Sequence, residues 1–283
     1  MIVTKIIGCS LLTYTVCGIG ISTIKSKKLT KEAKINNYRK SINISNNQDR
    51  TELYIKDEIK RITISDIKNW IPRKDIDGYR LFENTEEARK FGENLYGEWS
   101  RNLTSKYENK NKYYTRNEDD GVNPYKALKL YSGNVYSGIN SYLRYDYHNS
   151  IIDYLKDIIK NIDISFSNVP RTDENIIVFR RVHLCEELMN YYFSLKEGDM
   201  IKDKAYMSTS LILDIALNRG ETMDPNCALL VIKVPEGENG IFIDEVDGYY
   251  EYEMLISKNR TLKLEKILVK NDTQIVLLCE LQK

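Results

Sequence analysis

No charge of one sign prevails in this 283-residue chain: 42 lysines and arginines stand against 41 aspartates and glutamates, a net charge of +1. A general nucleic-acid binder needs a basic excess to neutralise phosphates, so that class is excluded and no nucleic-acid partner is expected. Cysteines are few and poorly spaced for joint work. Five occur; Cys9 and Cys17 sit in an apolar N-terminal run, which leaves Cys185, Cys227 and Cys279 with no C-x-x-C spacing. They suit neither a disulfide framework nor a zinc site, so they read as buried free thiols and no metal is expected. A P-loop, an HExxH motif, an EF-hand loop, a dinucleotide GxGxxG and internal repeats are all missing. Phenylalanine is scarce, six against 21 tyrosines, a ratio that base-composition bias explains as readily as a binding surface.

What is present describes an ordinary globular protein, 42% apolar and 29% charged, long enough for one large domain or two small ones. Ile6 to Ile24 is an apolar run with Lys5 before it and Lys25, Lys27 and Lys28 after it. Residues 1–24 therefore read as a signal peptide or an uncleaved membrane anchor. As an anchor, the run would keep the body of the protein cytoplasmic by the positive-inside rule. A basic, then polar, linker fills 25–50, and a globular domain occupies 51–283.

Within that domain the pattern changes character. Apolar residues at helical spacing predict a helix over 51–72 that stops at Pro72. A second helix opens at Asn84, with Phe91, Leu95 and Trp99 on one face. Lys106 to Asn123 reads as a loop, and helical patterns resume over 124–144 and 151–162. Short β-rich segments then follow at 176–182, 204–211, 228–234, 240–244, 252–256, 261–269 and 273–280. Helices first and strands afterwards is the α+β arrangement.

Three pieces of the β-rich half carry chemistry. Val178-Phe179-Arg180-Arg181 puts an arginine pair at the end of a strand, and Tyr206-Met207-Ser208-Thr209-Ser210 is a hydroxyl-rich strand. Glu251-Tyr252-Glu253 runs into the apolar Met254-Leu255-Ile256. On a strand, residues i and i+2 share a face, so the two acids would project side by side. One would steady a developing cation while the other takes a proton.

In this order the three pieces resemble the Arg, Ser-Thr-Ser, Glu-x-Glu signature of bacterial mono-ADP-ribosyltransferase toxins. Phe82 to Ala88 with Gly92, Tyr96 and Trp99 is similar to the opening helix of clostridial Rho-modifying exoenzymes. Tyr131, Tyr136, Ile139-Asn140 and Leu143-Arg144 resemble a further family helix, and Val234 to Asp244 the strand and turn before the catalytic loop. The resemblance is strongest over 79–283. It implies the ADP-ribosyltransferase fold: N-terminal helices and a core of two packed, mostly antiparallel β-sheets.

The resemblance also implies roles. NAD is the co-substrate. Arg180 grips an NAD phosphate with its guanidinium fork, and Arg181 assists. Ser208 holds Glu253, while Thr209 and Ser210 brace their strand. Glu253 binds the nicotinamide ribose and opposes the positive charge that develops there, as carboxylates do in glycosidases. Asn140, Arg144, Tyr136 and Tyr131 line the adenosine and phosphate side. Glu251 goes with arginine acceptors, since a guanidinium is a poor nucleophile until a carboxylate holds its charge or takes its proton. Tyr249 or Tyr250 touches the protein substrate. The implied partner is a host protein with a reactive arginine, actin being the common acceptor among Glu-x-Glu relatives. Residues 25–78 are too short for a binary toxin's adaptor domain, so a separate delivery component or another entry route is implied. Export, with action in the host cytosol, follows for the leader.

One departure stands out. Relatives carry a phenylalanine soon after Ser-Thr-Ser that packs on nicotinamide, whereas here no aromatic lies between Ser210 and Phe242. Leu217 or Arg219 stands near the expected place, and Gly220 to Asn226 reads as an insertion. Three other readings stay open: an NAD glycohydrolase, which needs Glu253 but not Glu251; a non-catalytic binding module; and a thiol–imidazole pair of His183 and Cys185 on one strand face.

Overall fold

The structure, a computed structural model, describes residues 61–107, 121–146 and 151–282. The expected leader, the linker and the first part of the helix placed at 51–72 lie outside the described residues. Within the described residues the expected helix is only α1 (Ile64–Trp70), which starts afresh because Thr63 is extended and bridged to Thr222; Thr63 and Asp66 form a reciprocal capping box. It closes before Pro72, whose missing N–H cannot extend it. Asn84 caps α2 (Thr85–Tyr107), its side-chain oxygen accepting the Glu87 N–H at 3.0 Å. The first residues of the expected loop from Lys106 thus belong to α2, and 108–120 lie outside the described residues.

The single helix expected over 124–144 is two: α3 (Pro124–Leu130) and α4 (Tyr136–Tyr145). A wide π-type turn over Tyr131–Val135 parts them, with Gly133 out of helical geometry at ψ −127°. α5 (Ile152–Asn168) continues beyond the expected end at Ile162 because Ile162 and Phe166 stay buried.

The strands are β1 (Ile176–His183), β2 (Met200–Asp203), β3 (Met207–Ser210), β4 (Cys227–Val234), β5 (Gly240–Phe242), β6 (Glu253–Ile256), β7 (Arg260–Lys270) and β8 (Gln274–Gln282). Between them lie α6 (Glu186–Ser194), α7 (Leu213–Ala216) and α8 (Asp244–Asp247). The sequence pattern did not predict β2 or α6. β2 is four residues long and buries only Ile201, too little alternation to register.

Hydrogen bonding links all eight strands in the order β2-β7-β8-β4-β1-β3-β6-β5, antiparallel except for the parallel pair β4 and β8. The two expected sheets are therefore joined, but only narrowly. β1 pairs with β4 from Ile176↔Val234 to His183↔Cys227, whereas its only registered partner pair with β3 is Phe179↔Ser210. That seam parts β2-β7-β8-β4-β1 from β3-β6-β5.

Apolar residues of the larger half bury alternately on two faces. Val178, Leu230 and Leu277 join a core with residues of α2 to α5, while Phe179, Leu229 and Leu278 join one with Ile67 and Ile71 of the α1 segment. Burial on both faces explains the nearly unbroken apolar runs of β1, β4 and β8. On the smaller half, α2 sits down on β5: a Cβ at Gly92 would run into the Phe242 ring. Tyr96 stacks on the same ring at 6.5 Å.

Candidate active site

The narrow seam makes the site. Because β1 and β3 share one registered pair, the sheet parts there, and a cleft of about 420 Å³ opens over the seam. Arg180 of β1, Ser208 of β3 and Glu253 of β6 line it, with Glu251, Tyr131 and Tyr136. Residues scattered from 131 to 253 in the sequence thus meet in one depression.

Glu253 is the first residue of β6 and only 8% exposed. Among the described residues its Oε1 is buried without a hydrogen-bond partner. Burial pushes its carboxyl up to about 8; the Ser208 hydrogen bond opposes this, while Glu251, Asp247 and Asp244 add to it by like-charge repulsion. A buried carboxyl with a free oxygen is poorly satisfied alone and well suited to a cationic partner in the cleft.

Behind Ser208 runs a polar chain. The Tyr131 hydroxyl lies 3.4 Å from Ser208 Oγ and accepts from Asn140 Nδ2 at 3.1 Å. Burial first, and the Glu253 charge second, push the Tyr131 phenol up to about 12, so it stays protonated. Asn140, buried behind Tyr131, is not among the residues lining the cleft, and its Oδ1 has no partner among the described residues. Tyr136 sits on the cleft at 45% exposure, edge-on to Tyr131 at 6.5 Å.

Arg180 donates to the Ser208 carbonyl at 3.0 Å and pairs with Asp203 at 3.5 Å. Arg144 is drawn off the cleft wall into a two-pronged pair with the same Asp203, at 2.9 and 2.8 Å. Burial works to raise the Asp203 carboxyl, but Arg144 and Arg180 outweigh it and hold it below the ordinary carboxylate range. Arg181 lines the cleft and donates to Asp224 at 2.6 Å.

The premise that Glu251 and Glu253 share a strand face does not hold. β6 starts at Glu253, and Glu251 stands in the preceding turn between Tyr250 (φ 57°) and Tyr252 (φ 51°). Left-handed backbone costs about 1–2 kcal/mol per non-glycine residue, so this turn is held rather than intrinsically favoured. Both acids still line the cleft. Ser210 Oγ donates to the Glu251 carbonyl at 3.0 Å, and the Thr209 hydroxyl to the Met254 carbonyl. Tyr249 and Tyr250 are each 63% exposed on the same loop.

Where a nicotinamide-packing aromatic was sought, Leu217 is buried in the core beneath α1 instead. Ile215, Ala216 and Asn218 form that wall of the cleft, and Phe179 lines it from β1. Arg219 is not among the lining residues. The segment read as an insertion bridges to the α1 entry through Thr63↔Thr222 and supplies Asp224 to Arg181. His183 and Cys185 do not pair: β1 ends at His183, whose Nδ1 lies 3.9 Å from Cys227 Sγ. Cys185 Sγ instead meets Glu187 at 3.2 Å, and this thiol is half-buried rather than buried.

Sequence reasoning missed Asp203 and Asp244. Asp244 accepts the Tyr252 and Glu253 N–H groups, at 2.7 and 3.1 Å. An Asp just past a strand and ahead of a Gly-containing turn is a usable signal for side-chain capping. For the pairing of Asp203 there was none, since Arg144 and Arg180 are remote from it in sequence.

The ADP-ribosyltransferase exoenzyme family model matches residues 88–282. Mono(ADP-ribosyl)transferase SpvB of Salmonella typhimurium is 28% identical over 173 residues, 50% of this chain and 27% of that protein. The chain thus spans little more than a quarter of that relative's length. Among solved structures, the Paenibacillus larvae ADP-ribosyltransferase toxin Plx2a aligns with a TM-score of 0.54 at 21% identity, covering 72% of this chain and 100% of that one. The Clostridium perfringens ADP-ribosylating toxin BECa, solved with NADH, aligns with a TM-score of 0.54 at 20% identity, covering 72% and 50%. At these identities the structural likeness concerns the fold.

Proposed function

Since the chain belongs to the ADP-ribosyltransferase exoenzyme family, we propose that it transfers ADP-ribose from NAD to an arginine of a host protein. The observation that carries this reading is the meeting of Arg180, Ser208, Glu251 and Glu253 on one cleft. Bound NAD would supply an ADP-ribosyl group with nicotinamide as its leaving group.

The residues fit that co-substrate. Arg180 and Arg181 present guanidinium groups to phosphate oxygens. Glu253, with a buried oxygen unpartnered among the described residues, takes a ribose hydroxyl and, once ionised, opposes the positive charge developing on the sugar. Ser208 fixes the Glu253 rotamer. Glu251, at the mouth of the cleft, holds the incoming guanidinium and accepts its proton. Tyr249 and Tyr250, exposed beside it, contact the acceptor protein. Actin is the first acceptor to test. In this reading the protein is an exported toxin acting in the host cytosol, delivered by a separate component or another route. Among the described residues no helix is long and apolar enough to cross a membrane, and the anchor reading of residues 6–24 lies outside them.

The test incubates the full chain with labelled NAD and a eukaryotic lysate, then maps modified residues by mass spectrometry, with Glu253→Gln as control. A Glu253-dependent label on arginine supports the reading. Nicotinamide release without labelled protein would replace it with an NAD glycohydrolase.

A further inference from the structure

The turn that carries Glu251 is held from outside itself. Gly248, Tyr250 and Tyr252 all have positive φ (76°, 57° and 51°), and two of the three are tyrosines with no preference for that geometry. Left to itself such a turn would relax and carry Glu251 away from the cleft. From the β3 side, Ser210 Oγ donates to the Glu251 carbonyl and Leu211 N–H to the Tyr252 carbonyl, both at 3.0 Å; the remaining ties converge on the start of one short helix, α8. Tyr252 N–H donates to Asp244 Oδ2 at 2.7 Å, and Glu253 N–H to Asp244 Oδ1 at 3.1 Å. The Asp244 carbonyl accepts from Gly248 N–H at 3.0 Å, and Ile243 N–H donates to the Glu253 carbonyl at 3.0 Å. The platform is itself fixed, because the Ser100 hydroxyl of α2 bonds the Glu245 carbonyl of α8.

We propose that Asp244 is a positioning residue for the reaction, its two carboxylate oxygens gripping consecutive amides so that Glu251 and Glu253 both face the cleft. The inference deepens the arginine-transfer reading and rests on it. Electrostatics alone would disfavour an acid here, since Asp247, Glu251 and Glu253 are already close enough to interact. What an aspartate offers over a neutral asparagine is a second acceptor oxygen. An amide side chain would satisfy one N–H and turn a donor toward the other.

The test compares the full wild-type chain with Asp244→Asn and Asp244→Ala in two measurements. Hydrogen exchange reads the amides of Tyr252 and Glu253, and nicotinamide release yields kcat and the KM for NAD. Both variants should speed exchange at those two amides while Leu255 and Ile256 stay protected. For Asp244→Ala, kcat should fall by about 100-fold, the scale of an ångström-sized misplacement, with KM within about twofold because Arg180 and Arg181 are untouched. Asp244→Asn should fall in between.

Unchanged exchange at the two amides overturns the proposal. So does faster exchange with unchanged kcat, which would make the tie merely structural. A wild-type chain that releases no nicotinamide in a Glu253-dependent way overturns the functional reading instead and takes this role with it. That failure is visible before any Asp244 variant is made.

Discussion

Arg144 and Asp203 form a two-pronged ion pair, with Nε and Nη2 meeting separate carboxylate oxygens at 2.9 and 2.8 Å. Asp203 also holds Arg180 at 3.5 Å. One carboxylate therefore orders two guanidinium groups, and a single positive charge is left over beside the cleft. Arg144 is assigned to the far side of Asp203, setting how Arg180 presents itself rather than lining the cleft.

Replacing Arg144 with lysine keeps the charge and loses the planar fork. We expect Arg144→Lys to raise the KM for NAD several-fold, roughly 3–10-fold, and to leave kcat nearly unchanged. Titration of initial rates against NAD checks this; a fall in kcat at constant KM would contradict it.

Glu253 links the site to stability. Unfolded, its carboxyl loses its proton near the ordinary 4.5, while burial in the folded chain keeps it protonated until about 8. Between those pH values the folded state binds more protons than the unfolded one, so stability falls as pH rises. The penalty is absent below 4.5 and complete above about 8. Glu253→Gln removes it. The Tm advantage of the variant over wild type should therefore widen from pH 5 to pH 8, by on the order of a few degrees. An advantage that does not change with pH would contradict the assignment.

Tyr131 joins Asn140 to Ser208 and so braces Glu253 at second hand. Tyr131→Phe leaves the ring packing and removes the hydroxyl. The loss of a buried hydrogen-bond partner should cost about 1–2 kcal/mol of stability by denaturant unfolding. We expect kcat to fall roughly 10-fold with little change in KM, because Ser208 is no longer fixed.

Much of the site was legible because its chemistry sits in contiguous motifs. Arg180 follows the apolar first half of β1, Ser208 sits in the hydroxyl-rich β3 and Glu253 opens the apolar β6, and such short runs are readable one strand at a time. The α+β order was legible for the same reason, from the switch between helical spacing and short β-rich runs bounded by turns. What was not legible depends on pairs distant in the chain. The narrow β1–β3 seam that opens the cleft is a matter of strand divergence at Phe179↔Ser210, which no local pattern encodes. The partnership of Arg144 with Asp203 spans 59 positions. Glu251 was misplaced for a local reason: Tyr252 looks like a strand residue, but Asp244 holds its N–H in a left-handed turn. The π-type turn at Tyr131–Val135 hid because Gly133 and its neighbours still keep helical apolar spacing.

The most direct test of the account is nicotinamide release from NAD without any protein acceptor, measured side by side for wild type, Glu253→Gln and Glu251→Gln. Glu253→Gln should lose release by on the order of 1000-fold, as expected when a charge-stabilising group is removed, while Glu251→Gln stays within a few-fold of wild type. Release that survives Glu253→Gln, or that is lost equally in both variants, would contradict the division of labour between the two carboxylates.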